Sequence, residues 1–167
     1  MNGTIARSPS ARREWPALAV ILLICFGIAG LGGAFTSAGL GPWYDSLRKP
    51  EWNPPKWVFG PVWALLYALM AVAAWLVWRR REVPPAQVGL RLFAVQLVLN
   101  LGWSIVFFWI RSPGWAFLEI LVLWAAIAAT LANFWRVRRT AGLLMVPYLL
   151  WVTFAMILNA AISSMNP

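Results

Sequence analysis

The sequence has 167 residues, of which 62% are hydrophobic and only 11% are charged, and its mean hydropathy is +0.71. A soluble domain keeps about 25% of its residues charged, so this composition excludes an ordinary soluble protein and predicts one domain in lipid. In a soluble protein, a net charge of +9 would suggest a nucleic-acid partner. Here the basic residues lie between apolar segments, so we interpret them as determinants of membrane orientation. We predict no nucleic-acid partner.

The chain begins with a polar stretch, residues 1–14, for which we predict a disordered basic tail. The apolar run behind it lacks a convincing cleavage site, so we predict a retained helix and not a signal peptide. In this helix Ala29 and Gly33 have the four-residue spacing that lets helices approach closely. Such a face is compatible with a dimer interface, a thin pocket wall or ordinary packing. The single cysteine, Cys25, allows no intramolecular disulfide.

Five segments each contain about 20 mostly apolar residues, which is the length that a helix needs to cross a hydrocarbon core. They lie at about 16–35, 57–78, 92–110, 115–135 and 142–162. The sequence therefore predicts an all-α integral membrane protein, a single domain over residues 15–167 built as a bundle of five transmembrane helices. Short connections make neighbouring helices antiparallel, and an odd number of spans places the two termini on opposite sides.

Arginine and lysine are unevenly shared between the two faces of this predicted bundle. The tail and the second and fourth connections carry ten, whereas the first and third connections carry four. Because basic residues concentrate on the cytoplasmic side, we predict a cytoplasmic N-terminus and an outward-facing C-terminus. The bacterial inner membrane is the predicted location, and an outer or organellar membrane is the alternative.

The first connection is the most unusual stretch of the chain. Residues 43–63 contain four tryptophans and four prolines. Proline removes backbone donors and restricts the residue before it, so a membrane-spanning helix is excluded over most of this stretch. We interpret it as an ordered loop that lies over the end of the bundle and becomes helical near Trp57. The alternative is an aromatic belt at the lipid headgroups.

The third predicted helix carries a polar stripe. Gln96, Asn100 and Ser104 recur every four residues and therefore share one face, with Trp103 and Phe107 beside it. Polar side chains inside a membrane usually face the bundle interior. Hydrogen bonding between helices and exposure to a cavity are both compatible with the stripe, and the cavity is favoured for Asn100.

The last two helices add an acid and further aromatic residues. Glu119 is the only acidic residue within a predicted span, about one turn from the outer end. It is either a functional carboxylate or an interfacial one, paired for example with Arg111. Pro147 should kink the fifth helix, on which Tyr148 and Trp151 share a face.

Depth along the helices, at about 1.5 Å per residue, brings several of these side chains together. Trp63, Trp103 and Trp151 fall near the middle or in the outer half of the membrane, as do Ser104 and Asn159. Aromatic planes with a few polar groups form the sites that bind flat, mostly apolar ligands. We therefore predict one cavity for such a small molecule, directly beneath the aromatic loop.

The same residues resemble a known signature, that of the TspO/MBR family of tryptophan-rich sensory and translocator proteins. The matching positions are Trp43, Tyr44, Lys49, Pro50, Trp52, Pro54, Pro55, Trp57, Phe59, Trp63 and Tyr67 in and after the first loop, then Gln96, Asn100, Trp103, Ser104, Phe107, Phe108, Trp124, Pro147, Tyr148, Trp151 and Asn159. The resemblance implies a five-helix bundle, usually a homodimer, that binds porphyrins and, in some members, sterols.

The resemblance also implies roles for individual residues. The implied ligand-binding set is Trp43, Tyr44, Trp52, Trp63, Tyr67, Asn100, Trp103, Tyr148 and Trp151. In bacterial relatives, the tryptophans that match Trp63 and Trp151 are linked to light- and oxygen-dependent breakdown of protoporphyrin. Residues 160–167 contain neither the tyrosine nor the basic residue of the family's cholesterol-recognition motif.

The chain has no histidine, and its cysteine lies in the first helix, so the strong axial ligands of haem iron are missing or badly placed. We expect no metal site and no required cofactor. The expected ligand is a porphyrin, protoporphyrin IX or haem, held by stacking and apolar contact.

Three functions remain open from the sequence. The first is a porphyrin-binding sensor or carrier without turnover. The second is photo-oxidative porphyrin breakdown, in which Trp63 and Trp151 would be the catalytic residues. The third is a sterol- or lipid-handling membrane protein or a scaffold for partner helices. The chain offers no acid–base dyad, nucleophile or metal cluster for ordinary hydrolysis or group transfer.

Overall fold

The computed structural model describes residues 11–166, without the side chains of residues 11–13. Its helices are α1 (Ala11–Gly39), α2 (Pro42–Ser46), α3 (Lys56–Trp78), α4 (Pro84–Ser104), a π-helical turn (Ile105–Trp109), α5 (Pro113–Val137) and α6 (Arg139–Met165). Within the described part of the chain, five helices are long and apolar enough to cross a membrane, namely α1, α3, α4 with its π-helical turn, α5 and α6. The predicted all-α, five-span architecture is confirmed.

The helices are longer than the apolar segments that predicted them. α1 begins at Ala11, so residues 11–14 are helical where the sequence predicted a disordered tail, and residues 1–10 of that tail lie outside the described residues. α4 begins at Pro84, eight residues before the predicted start at 92. Hydropathy detects only the part of a helix that crosses hydrocarbon, whereas proline at the first helical position favours an earlier start.

Prolines mark several other points of the fold. α2 and α5 begin at Pro42 and Pro113, where the missing backbone donor costs nothing. Pro147 lies inside α6, and the helix continues through it to Met165.

The outer end of the third span is a π-helical turn. Ile110 N donates to Ile105 O at 2.9 Å, the wider bonding pattern that defines the turn. Arg111 follows with a φ of 60°, a left-handed conformation that is uncommon for a residue with a side chain. The chain thereby reverses direction within a few residues and enters α5 at Pro113. The turn leaves Phe107 and Phe108 buried under the first loop.

The protein core is centred on α3. This helix contributes Met70, Ala71, Ala73, Ala74 and Val77 to the buried cluster, and its small side chains allow close packing. In contrast, only 11% of the most apolar window of α1 is buried, compared with 44% in α3. α1 is therefore a peripheral helix with most of its surface exposed on the outside of the bundle.

The C-terminal end of α1 is fixed by a close contact with the π-helical turn. A Cβ atom at Gly39 would lie 2.6 Å from the Phe108 Cβ and 2.8 Å from the Phe108 carbonyl oxygen. A rigid backbone cannot yield as a flexible side chain would, so only glycine fits this crossing.

We predict that Gly39→Ala lowers the free energy of unfolding by about 1–3 kcal/mol, the usual cost of overpacking. The matched control is Gly27→Ala on the same helix, where a new Cβ meets no atom within 4 Å. Replacing a helical glycine at such a site should raise stability by about 0.5–1 kcal/mol. Thermal unfolding of both variants in detergent measures the difference, and equal melting temperatures would contradict the close crossing.

Candidate ligand-binding site

The main candidate site is a cleft of about 550 Å³ between α1 and α3, which we call the α1–α3 cleft. It has an aromatic wall on α3, a small-residue wall on α1 and polar groups from α4. Its lining includes Lys56, Trp57, Phe59, Trp63 and Tyr67 of α3, Ala29, Gly30, Gly32 and Gly33 of α1, and Asn100 and Ser104 of α4. Phe26 and Trp57, which also line it, are exposed, so the cleft opens at the surface of the bundle.

The glycines of α1 create the space. A Cβ added at Gly30 or Gly33 would meet no atom within 4 Å, and both residues line the cleft. At Gly32, which also lines the cleft, α1 lies closer to the rest of the bundle, because a Cβ there would lie 3.4 Å from Ser104 Oγ. Of the alternatives for these small residues, the structure shows a thin pocket wall.

A chain of buried hydrogen bonds lies behind the aromatic wall. Tyr67 OH donates to Asn100 Oδ1 at 2.6 Å, and Asn100 Nδ2 donates to Tyr148 OH at 3.0 Å. Tyr148 OH in turn donates to Gln96 Oε1 at 2.9 Å. We call these four residues the interhelical network, since they join α3, α4 and α6. Both interpretations of the polar stripe hold for Asn100, which bonds between helices and also lines the cleft.

A second, much smaller cavity of about 30 Å³ lies on the other side of Phe59, within an aromatic cluster. Tyr44, Trp103 and Trp151 line it together with Phe107, Phe108 and Phe154. The rings are closely packed: the centroids of Trp103 and Phe107 are 5.2 Å apart, and those of Phe107 and Phe108 are 4.8 Å apart. Phe59 lines both cavities and therefore separates them.

The first loop covers this aromatic cluster. Trp43 packs edge-on against Phe107, and Trp52 packs edge-on against Phe154. Tyr44 is buried against Phe108, and burial raises the pKa of its phenol, so it remains a protonated donor to Asn53 Oδ1 at 3.1 Å.

Polar contacts hold the first loop where it meets α1 and α3 and also near its middle. Lys56 forms a 2.6 Å ion pair with Asp45 and donates to the Leu40 carbonyl oxygen at 3.1 Å. Near the C-terminus, Asn166 accepts from Arg48 N at 3.0 Å and donates to the Arg48 carbonyl oxygen at 2.9 Å. The loop is thus ordered by contacts with α3, with the end of α1 and with the residue after α6.

The nine predicted ligand-binding residues therefore do not all surround one cavity. Trp63, Tyr67 and Asn100 line the α1–α3 cleft, whereas Tyr44, Trp103 and Trp151 line the small cavity. Tyr148 is fully buried between them, with its ring 6.2 Å from that of Trp63. Trp43 and Trp52 pack on the aromatic cluster from the loop. The expected single hollow beneath the loop is mostly filled by phenylalanine side chains.

Sequence reasoning left Phe59, Phe154 and Ser37 out of the ligand-binding set, although they line one or both cavities. Phe59 has a readable signal, because it stands one turn before Trp63 on α3 and so shares its face. Phe154 and Ser37 have none, since an isolated phenylalanine or serine in an apolar helix is equally compatible with packing.

Glu119 does not form the ion pair that one interpretation of the sequence expected. Among the described residues, neither of its carboxylate oxygens has a hydrogen-bond partner, and both are buried. At the outer ends of α4 and α5, Asn159 of α6 accepts a hydrogen bond from Trp103 Nε1 at 3.1 Å and donates one through Nδ2 to the Pro113 carbonyl oxygen at 2.8 Å. Asn159 is thereby a structural link between helices.

Comparison with known proteins gives a family match over residues 19–165, to the TspO/MBR family. The chain is 44% identical over 154 residues to the tryptophan-rich protein TspO of Chlorobaculum tepidum, covering 90% of this chain and 96% of that protein. It is 40% identical over 147 residues to the tryptophan-rich sensory protein of Cereibacter sphaeroides, covering 87% and 91%. It is 42% identical over 119 residues to the human translocator protein, covering 70% of each.

The interhelical network predicts unequal effects for its two tyrosines. Tyr148→Phe leaves both Gln96 Oε1 and Asn100 Nδ2 without a partner, whereas Tyr67→Phe removes only the donor to Asn100 Oδ1. At about 0.6–2 kcal/mol per interhelical contact, Tyr148→Phe should lose about twice the stability that Tyr67→Phe loses. Thermal unfolding in detergent is the measurement. A larger loss for Tyr67→Phe would contradict the assigned network.

Proposed function

Because this chain belongs to the TspO/MBR family, we propose that it is a membrane sensor or carrier that binds a porphyrin in the α1–α3 cleft. Membership and the five apolar helices make it an integral membrane protein. The names of its relatives, tryptophan-rich sensory protein and translocator protein, support a sensor or translocator role. The observation that carries the porphyrin proposal is the size and lining of the cleft.

The cleft suits a flat, rigid and mostly apolar molecule. Its volume of about 550 Å³ lies within the range of about 300–1,000 Å³ typical of small-molecule sites. Trp57, Phe59 and Trp63 present aromatic rings from one helix, and ring stacking is the interaction that such a ligand offers. The glycine wall of α1 lets the macrocycle approach the backbone closely.

The polar groups of the cleft match the polar parts of a porphyrin. Lys56 lines the cleft where the first loop meets α3, and its side chain is partly exposed. A porphyrin carries two propionate groups, and we propose that one of them pairs with Lys56 in exchange for part of its contact with Asp45. Asn100 and Ser104 of α4 also line the cleft and are polar side chains that would face the ring nitrogens.

Binding by stacking requires no axial ligand. The chain contains no histidine, so the proposed site has no strong donor for haem iron beside the aromatic wall. Metal-free protoporphyrin IX should therefore bind about as well as haem. A homodimer, a cytoplasmic N-terminus and sterol binding stay predictions from the sequence.

Filling the cleft should abolish most of the binding. We expect Gly33→Leu to raise the Kd for protoporphyrin IX about tenfold or more, equivalent to about 1.4 kcal/mol, because its side chain enters open space in the cleft. Trp63→Phe should weaken binding more than Trp151→Phe, which alters the small cavity. Quenching of tryptophan fluorescence and the porphyrin absorbance band measure the Kd.

The matched control is Gly27→Leu, on the same helix, where a Cβ also meets no atom within 4 Å but the residue does not line the cleft. This variant should bind porphyrin as the wild-type protein does. Unchanged binding by Gly33→Leu, or equal weakening by both variants, would reject the cleft as the site.

Light-dependent oxidation of the bound porphyrin is a second candidate function, and one observation favours it. Trp63 lies on the aromatic wall of the cleft, with its ring 5.9 Å from the Tyr67 ring, which starts the interhelical network. An oxidisable side chain would thus adjoin the ligand, while the porphyrin and oxygen would supply the chemistry.

Illumination of the complex in air separates the two functions. For a sensor or carrier, we expect uniform bleaching of the porphyrin at the same rate in wild-type protein and in Trp63→Phe, compared at equal occupancy. A new absorption band that forms in wild-type protein and is absent from Trp63→Phe would contradict simple binding and support the photo-oxidative function.

A further inference from the structure

We propose a second binding site, for an anionic phospholipid, at the arginine-rich end of the bundle. It is a groove of about 460 Å³ on the opposite end of α1 and α3 from the aromatic loop. Its lining residues are Pro16, Ala17, Val20 and Ile21 of α1, Trp78 at the end of α3, and Arg81. We call it the Arg81 groove.

The walls of the groove are held in place by contacts beside it. Glu14 of α1 forms a 3.0 Å ion pair with Arg79, and the Glu14 carbonyl oxygen accepts from Trp75 Nε1 at 2.9 Å. The Trp15 and Trp75 rings stack with their centroids 5.7 Å apart. These contacts fix α1 against α3. They also mean that the Arg79 guanidinium is already paired with a carboxylate of the protein.

Among the side chains that the structure describes, Arg81 is the arginine that lines the groove. Its guanidinium lies 4.1 Å from the centre of the Trp78 ring and donates one hydrogen bond to the Trp78 carbonyl oxygen at 3.3 Å. Its contact with Glu82 is long, at 3.9 Å, and that carboxylate is 89% exposed and thus mostly hydrated. Several of its five N–H donors remain, in the planar arrangement that binds phosphate through two bonds.

The charge at this end favours an anion over a zwitterion. Among residues 14–166, seven arginines lie there, namely Arg79, Arg80, Arg81, Arg91, Arg136, Arg138 and Arg139. Among residues 14–166, the acids at this end are Glu14 and Glu82, and Glu14 is already paired. Basic pockets between transmembrane helices are known to bind the headgroups of anionic lipids.

The apolar part of the groove identifies the ligand as a lipid and not free phosphate. Apart from Arg81, every lining residue is apolar, and Val20 is 54% exposed. α1 presents most of its surface to the acyl chains, so a lipid tail can enter the groove directly from the bilayer. The phosphate would then lie against Arg81, and one acyl chain along Val20 and Ala17.

Two matched pairs of variants test this site in the full-length protein. We expect Arg81→Gln to raise the apparent Kd for phosphatidylglycerol about tenfold, the scale of one charge-assisted contact, and Arg136→Gln to change it less than twofold. Both variants remove one positive charge from the same end. We expect Val20→Trp, which fills the groove, to weaken binding similarly. The control Val95→Trp, at a valine of similar exposure on α4 (50% compared with 54%), should not weaken it.

Native mass spectrometry of detergent-solubilised protein, titrated with phosphatidylglycerol or with phosphatidylcholine of the same chains, counts the bound lipids. One retained phosphatidylglycerol that is lost in Arg81→Gln and in Val20→Trp supports the site. Equal losses in Arg81→Gln and Arg136→Gln would show that only the overall charge attracts lipid and would overturn it. Unchanged binding by Val20→Trp, or equal retention of phosphatidylcholine, would overturn it as well.

Discussion

The absence of water from the hydrocarbon core is the constraint on which the rest of this structure depends. In lipid, a polar group without an internal partner costs several kcal/mol, so the backbone is helical throughout the membrane and polar side chains are grouped. The interhelical network is the result: Tyr67, Asn100, Tyr148 and Gln96 satisfy one another across three helices. It also holds the aromatic wall of α3 at a fixed distance from α4 and α6, and so gives the candidate site a rigid back.

Side-chain size determines where the bundle is open. α3, with its alanines, is packed on most sides, whereas α1 contacts the bundle at a few points, including Gly32 against Ser104 and Gly39 against the π-helical turn. Between these contacts and the aromatic residues of α3, the small residues of α1 leave unfilled volume. Because hydrophobic burial does not drive helices together within lipid, such a gap is tolerated as long as van der Waals packing elsewhere is sufficient. The same weak attachment leaves a groove at the other end of α1.

The two ends of the bundle carry different types of side chain, and each end suits a different type of ligand. At one end, a proline-rich loop with Trp43, Tyr44 and Trp52 is packed on phenylalanine side chains and held by the Asp45–Lys56 ion pair. At the other end, arginines outnumber acids, and tryptophan side chains support their guanidinium groups. Aromatic rings favour flat apolar molecules, whereas arginine favours phosphate. The proposed porphyrin and phospholipid sites follow this division.

The sequence by itself determined the five spans, the polar stripe on the third helix and the aromatic character of the first loop, because hydropathy and helical period are local properties of the chain. It also identified the family, since the first-loop motif is a fixed string of residues. Only the tertiary structure decided which aromatic side chains share a cavity. Trp63 and Trp151 were expected around one hollow, yet Phe59 lies between their two cavities. Depth along a helix gives the height of a side chain but not the direction in which it points or the volume of its neighbours. The position of the cleft follows from how closely α1 approaches α3 and α4, which depends on contacts between residues distant in the chain.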